Sequence, residues 1–314
     1  MAERVCYFNG RLIPEREARV SIFDSALQVG DMAFEVTRTY HGVPFRLRDH
    51  LDRLWNSMAA LHIDPGLTQA QLEEITADVL GRNQPTETDD VEWTILHEVS
   101  RGPAAGFRSH FTTDELRPTV IVACYPLAEK MARLAPAYET GVDLIVPDQR
   151  SLPHNLLSAA IKCRSRVHYQ LANLQAEAKL AGSTALLLDP DGYVTEGTTG
   201  NVFFVRDGEL LTPTTRNILP GVTRRTILEL AAEMNLPARE TDITLGDALR
   251  CDEALVTSTS IGVLHARTLE KQPLGNGRLG PATLRLREAL TERVGLDFAA
   301  QAKSYAARLN LSVQ

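Results

Sequence analysis

Residues 191–224 read DGYVTEGTTGNVFFVRDGELLTPTTRNILPGVTR, and the order of turns, strands and a helix start within them organises the whole chain. The turn Asp189-Pro190-Asp191-Gly192 leads into a short strand that ends on Val194-Thr195-Glu196-Gly197. Asn201–Val205 and Glu209–Leu211 flank Asp207-Gly208, a hairpin signal because Asp-Gly supplies the positive φ angles of a tight turn. Leu219-Pro220-Gly221-Val222-Thr223-Arg224 then opens a helix, and Ile227, Leu230, Ala231 and Met234 repeat at helical spacing over 226–234. Thr223 is the expected cap. The same helix start is a ready anion site, because unpaired amide donors and the positive dipole end point outward.

Working outward, Lys162 stands just before a helix. Val167, Leu171, Leu174 and Ala178 mark its apolar face, and Gly182 ends it. Strands are expected at Val142–Val146, Ala185–Leu188 and Ala254–Thr257, and an amphipathic helix at Pro281–Val294. Residues 299–314 read as a last helix with a frayed end. Nearer the start, Asn9-Gly10 joins two short strands, Ala33–Tyr40 is a third, and Leu51, Leu54, Met58 and Leu61 predict a helix over 48–61. A helix at 69–80 and strands at 91–99 and 119–125 complete the first part. The pattern predicts a two-domain α+β chain. Residues 1–125 form a small α/β domain, 126–138 a linker, and 139–314 a large domain with a mixed rather than doubly wound sheet.

Composition narrows the function. With 40 acidic against 33 basic residues and a net charge of −7, the chain does not read as an electrostatic nucleic-acid binder. No apolar run approaches the ~18 residues of a membrane span. Cys6, Cys124, Cys163 and Cys251 are scattered without a CxxC pair. No disulfide framework and no metal site are expected, and the cytoplasm is the expected compartment.

Lys162, Glu196 and the helix start at Gly221–Thr223 are each ordinary alone, since most lysines and glutamates are solvated. Together they are what pyridoxal phosphate requires. An amine bonds its aldehyde, a carboxylate keeps its pyridine nitrogen protonated, and helix amides with an arginine hold its phosphate.

These residues resemble the class IV aminotransferases, the fold-type IV pyridoxal phosphate enzymes. That group takes in branched-chain and D-amino acid aminotransferases, R-selective amine transaminases and aminodeoxychorismate lyase. The matching strings include Phe8-Asn9-Gly10, Gly30-Asp31, Phe34-Glu35 and 45–54 (FRLRDHLDRL). In the second part they are Ala176-Glu177-Ala178, 191–197, Asn201-Val202-Phe203, 218–224 and Asp252-Glu253-Ala254.

The resemblance implies a small α/β domain and a larger domain with a mixed β pseudo-barrel. It makes Lys162 the catalytic lysine bonded to pyridoxal 5'-phosphate and Glu196 the partner of the ring nitrogen. Arg53, Val222, Thr223, Ser258 and Thr259 become phosphate ligands. Leu219 packs on the ring and Asn201 braces the Glu196 turn. It also implies a homodimer, for which Phe107 and Phe111 are read as exposed loop residues.

Two departures stand out. Branched-chain members carry a tyrosine five residues after the lysine, where this chain has Val167. Glu177 suggests a one-residue shift, so His168 or Tyr169 is the candidate for the same contact. The substrate region is a mosaic. Phe34, Val36 and Arg38 on one strand, Arg108 and His110 in a loop, and the Ser260–Ile261 backbone are the candidates. Arg108-Ser109-His110 resembles the carboxylate trap of D-amino acid enzymes.

The reading is an aminotransferase that moves an amino group from an α-amino acid to a 2-keto acid such as 2-oxoglutarate, by a ping-pong cycle. The donor's side chain is branched, otherwise apolar or dicarboxylic, and its handedness is open. Alternatives are an aminodeoxychorismate lyase-like reaction, an R-selective amine transaminase, or a non-catalytic binding protein on the same fold.

Overall fold

A computed structural model describes residues 3–86 and 91–310. The chain folds as two units, one made of 1–127 with 161–166, the other of 128–160 with 167–314.

In the first unit, among the described residues, six strands form an antiparallel sheet. Their order is Arg11–Pro14, Val5–Phe8, Thr119–Pro126, Trp93–Ser100, Met32–Tyr40, Val43–Pro44. Asn9 and Gly10 take φ of 48° and 92°, and Phe8 faces Arg11 across the turn, the geometry an Asn-Gly hairpin needs. Helices Leu47–Ala60 and Gln69–Asn83 cover one face of the sheet. Leu51, Leu54 and Met58 meet Trp93, Ile95, Val120 and Val122 there, because recurrence at three and four residues puts them on one side of a helix. Both helices run within a few residues of their predicted bounds, as expected where the period is strong.

In the second unit, among the described residues, nine strands build a mixed sheet. The path runs Ala238–Glu240, Glu209–Thr212, Asn201–Arg206, Glu253–Ser258, Gly262–Leu269, Val142–Ile145, Thr184–Leu188, Val194–Gly197, with Gln272–Pro273 on the edge of Gly262–Leu269. Parallel pairs flank Val142–Ile145 on both sides, and the hairpin pairs are antiparallel. Gly197 donates its amide to the Gly200 carbonyl at 2.9 Å. That tight turn curls the last strand of the path back to the start of Asn201–Arg206.

Several expectations change. Helix Ala128–Thr140 occupies most of the segment expected as a linker and belongs to the second unit. Ile161–Arg166, by contrast, belongs to the first. The helix of the second hairpin starts at Val222, four residues before its periodic stretch, with Gly221 rather than Thr223 at the cap. The helix after Lys162 is Val167–Lys179, but Ala172 and Ala176 are its buried residues. Val167, Leu171 and Leu174 are 73%, 45% and 58% exposed, so the large side chains that suggested the inner face form the outer one. Small alanines let this helix lie close to strand Thr184–Leu188, where Ala172 and Ala176 pack with Ala185 and Leu187. The last helix is Phe298–Arg308. Residues 311–314, expected as its frayed end, lie outside the described residues.

Candidate active site

Each unit carries its own share of the candidate residues. In the first, the segment around Lys162 pairs with the edge of strand Met32–Tyr40. The Phe34 amide donates to the Lys162 carbonyl at 3.0 Å and the Arg164 amide to the Met32 carbonyl at 2.9 Å, with Ala33 opposite Cys163. Side chains alternate across such a pairing. Cys163 therefore joins Ala33 in the core, while Lys162 and Arg164 stand on the side of Phe34. The Lys162 Nζ lies 4.6 Å from the centre of the Phe34 ring, close enough for the ring's negative face to attract the ammonium. The Lys162 amide donates to Ser57 Oγ at 3.0 Å, and that hydroxyl donates to the Arg53 carbonyl at 2.9 Å. The lysine backbone is thus pinned both to the strand and to helix Leu47–Ala60.

Arg53 is turned toward Glu35 on the helix-covered face of the sheet. Its Nε and Nη2 donate to the two carboxylate oxygens at 2.6 and 2.8 Å, a bidentate fork. His50 Nδ1 lies 3.0 Å from Glu35 Oε2. An ionised carboxylate only accepts, so His50 carries its proton on Nδ1. Burial alone would raise the Glu35 pKa, but Arg53 and then His50 overcome it and hold the carboxyl well below its usual range. Burial lowers His50, which stays neutral. Arg53 and His50 are three residues apart on one helix face, a spacing readable in 45–54; the strand partner Glu35 was not, and no role had been expected for it.

Val36 is half-buried on the Phe34 side. Arg38 is only 1% exposed, with its guanidinium 4.3 Å from the Tyr40 ring and Nε donating to the Thr39 carbonyl. In the loop, Arg108 is exposed. His110 stacks on Phe23 at 5.6 Å, as does Phe107 at 4.8 Å, and Phe111 meets the same ring edge-on at 6.2 Å. Phe107 and Phe111 are therefore half-buried against Phe23, not the exposed pair expected. Only the fold brings Phe23 under that loop.

In the second unit, Glu196 is a buried carboxylate held from three directions. Asn201 Nδ2 and the Leu219 amide donate to Oε2 at 3.1 and 2.9 Å, and the Tyr169 hydroxyl donates to Oε1 at 2.9 Å. The other Asn201 Nδ2 bond goes to the Leu219 carbonyl at 2.9 Å, so one amide ties the end of strand Val194–Gly197 to the loop before the helix. Gly221 makes this approach possible: a Cβ there would sit 2.0 Å from Asn201 Oδ1. Tyr169, one of two candidates for a cofactor contact, spends its hydroxyl on Glu196, and the His168 ring packs 4.1 Å from it.

Helix Val222–Glu233 has no side-chain cap hydrogen bond among the described residues, and the first amides of such a helix are suited to donate to an anion. Arg224, which faces inward, donates to the Pro213 carbonyl and pairs with Glu240. Ser258 and Thr259 are half-buried at the end of strand Glu253–Ser258. Ser260 is buried, and the Ile261 carbonyl accepts from Tyr138 at 2.7 Å.

Residues 32–269 match the amino-transferase class IV family. The chain belongs to the class IV aminotransferases. The D-alanine aminotransferase of Bacillus licheniformis is 31% identical over 288 residues, 91% of this chain and 96% of the relative. The branched-chain-amino-acid aminotransferase of Escherichia coli strain K12 is 30% identical, covering 90% of each. Among solved structures, the T.th. branched-chain amino acid aminotransferase complexed with N-(5'-phosphopyridoxyl)-L-glutamate aligns over 98% of both chains with a TM-score of 0.82 at 27% identity. The same enzyme has been solved with pyridoxamine 5'-phosphate. This class IV aminotransferase thus has the fold-type IV architecture that its motifs implied.

Proposed function

We propose that this aminotransferase uses pyridoxal 5'-phosphate to move the amino group of an α-amino acid, of the branched-chain or related apolar type, to a 2-keto acid such as 2-oxoglutarate. The observation that carries the reading is the buried Glu196 carboxylate, immobilised by three donors beside a helix start left without a cap. That donor set fits the cofactor: an acceptor for a ring N–H, and amides for a phosphate. When bound, the cofactor supplies an electron sink that makes the substrate Cα–H acidic.

The chain's own residues do the rest. Lys162 would hold the cofactor through its aldehyde and, once released, its amine would serve as base and acid for the substrate Cα proton. Its backbone, pinned to Phe34 and Ser57, limits the amine to the sweep of one side chain. Glu196 would keep the ring nitrogen protonated, and its clamp by Asn201, Leu219 and Tyr169 would fix the direction of that hydrogen bond. Val222, Thr223, Ser258 and Thr259 would donate to the phosphate. Arg53, oriented by Glu35, would be the arginine for it. Leu219 would be the residue packed on the ring.

A homodimer belongs to the same reading. Val167, Leu171 and Leu174 form an exposed apolar stripe on one helix, the kind of surface a second copy covers. The cytoplasm suits the four cysteines, which are buried thiols.

The test is reductive trapping. Borohydride treatment of the holoprotein should fix the cofactor's mass on a peptide containing Lys162, and Lys162→Ala should abolish both the mass and amino transfer. A panel of L- and D-amino acids and R-amines then sets the donor class. Cofactor trapped on another lysine, or amino transfer undiminished in Lys162→Ala, would overturn the reading.

A further inference from the structure

We propose that Arg164, seated on the ring of Phe34 beside Lys162, grips a carboxylate of the substrate; this rests on the amino-transfer reading above. The site lies wholly within the first unit. Pairing of Ala33 with Cys163 sends Lys162 and Arg164 to the same side of the strand, and Phe34 and Glu98 are direct cross-strand partners. Four side chains therefore converge. The Arg164 guanidinium carbon lies 3.8 Å from the Phe34 ring centre, and the Lys162 Nζ lies 4.6 Å from the same point. The two cations are separated by no more than the sum of those distances. Arg166 adds a third positive charge 5.7 Å from that centre.

The arginine is held in a set pose. Its Nε donates to Glu98 Oε1 at 2.8 Å and its Nη2 bonds the same oxygen, while its flat face rests on the ring. Its Nη1 makes no hydrogen bond among the described residues, and the side chain is 37% exposed. A guanidinium clamped on one edge and stacked on one face has little rotamer freedom left to lose, so its remaining edge is preorganised for an anion. Glu98 takes up one edge of the Arg164 guanidinium and offsets one positive charge.

Reach agrees with this role. In an amino acid the α-carboxylate carbon lies about 2.5 Å from the amino nitrogen, and the far carboxylate of a five-carbon dicarboxylate about 5 Å. With the amino nitrogen at the Lys162 amine, either group can extend into the gap between that amine and Arg164, which is no longer than the sum of the two ring distances. The other arginines expected to bind substrate are differently placed: Arg38 is buried against Tyr40, and Arg108 is an exposed loop residue.

The experiment measures binding without turnover. Kd for glutarate and for 4-methylvalerate, neither of which has an amine to transfer, is measured by calorimetry on wild-type holoprotein, on Arg164→Met, and on Arg164→Met with Glu98→Gln. The double variant removes the carboxylate that the single one leaves uncovered. At least tenfold weaker binding of both probes in both variants assigns Arg164 to the α-carboxylate. The same loss for glutarate alone assigns it to a distal carboxylate and makes acidic substrates the favoured class. The proposal is overturned if neither Kd moves, if wild type binds neither probe, or if the double variant restores wild-type affinity, which would make the single-variant loss an effect of bare Glu98. Absence of amino transfer with Arg164-dependent carboxylate binding intact would count against the function reading and not against this assignment.

Discussion

His97 offers a measurement of how the buried polar layer of the first unit responds to acid. It is opposite Glu35 in the sheet and fully buried, with Nε2 2.8 Å from Thr76 Oγ1. That hydroxyl donates to the Leu72 carbonyl at 2.6 Å, so it must accept from the imidazole, and the proton sits on Nε2. Nδ1 is then a buried acceptor without a hydrogen-bond partner among the described residues. Burial pushes the pKa from 6.5 down to about 4, equivalent to about 3 kcal/mol of preference for the neutral ring. The sign follows from linkage. Above pH 6.5 folded and unfolded rings are both neutral, and the group contributes no pH dependence. Between 6.5 and about 4 the unfolded chain takes up a proton that the folded chain does not. Stability then falls by up to about 1.4 kcal/mol per pH unit as the pH drops.

His97→Leu removes the titration at similar volume. At pH 8 the lost Thr76 bond and the removed orphan acceptor nearly offset, so stability should change by no more than about 1 kcal/mol. By pH 4 the variant should have lost about 3 kcal/mol less than wild type. Urea unfolding followed by tryptophan fluorescence is the assay, because Trp55 and Trp93 are the chain's two tryptophans and both lie in the first unit. His50, also lowered by burial, remains in both proteins. Parallel stability–pH curves for wild type and variant would refute the reasoning.

Glu35→Gln leaves Arg53 buried without its counter-charge and should destabilise the first unit by about 3–5 kcal/mol, read from the same unfolding transition at pH 7.5. Tyr169→Phe removes one donor from Glu196 and should lower cofactor affinity, measured by equilibrium dialysis, by roughly ten- to a hundredfold, from the ~1.5–3 kcal/mol expected for a bond to a charged group. Gly221→Ala drives a Cβ into Asn201; it should weaken cofactor retention at least as much as Asn201→Ala does, and retention at the wild-type level would mean the loop moves aside at no cost. Leucine-to-lysine changes at Leu171 and Leu174 should shift the light-scattering mass toward the monomer, and an unchanged mass would place the dimer contact elsewhere.

Local chemistry made much of this protein legible in its sequence. Asn9-Gly10 and Asp207-Gly208 are turns because few other pairs tolerate those φ angles. The helices around Leu51 and Pro281 follow from a period that survives any tertiary context. Lys162, Glu196 and Gly221–Thr223 could be picked out because each supplies a reactive group of a kind few residues offer.

What the fold alone decided depends on which surfaces meet. The helix after Lys162 turns its alanines inward and its leucines out, since close packing on a strand selects small side chains and periodicity does not record size. Residues 161–166 join the first unit through two backbone hydrogen bonds to the edge of strand Met32–Tyr40, a pairing to which side-chain pattern contributes nothing. The Glu35–Arg53–His50 cluster and the Tyr169–Glu196 bond join residues from separate elements. Buried charges and hydroxyls must find partners wherever the packing delivers them, and the sequence names the groups but not the pairs.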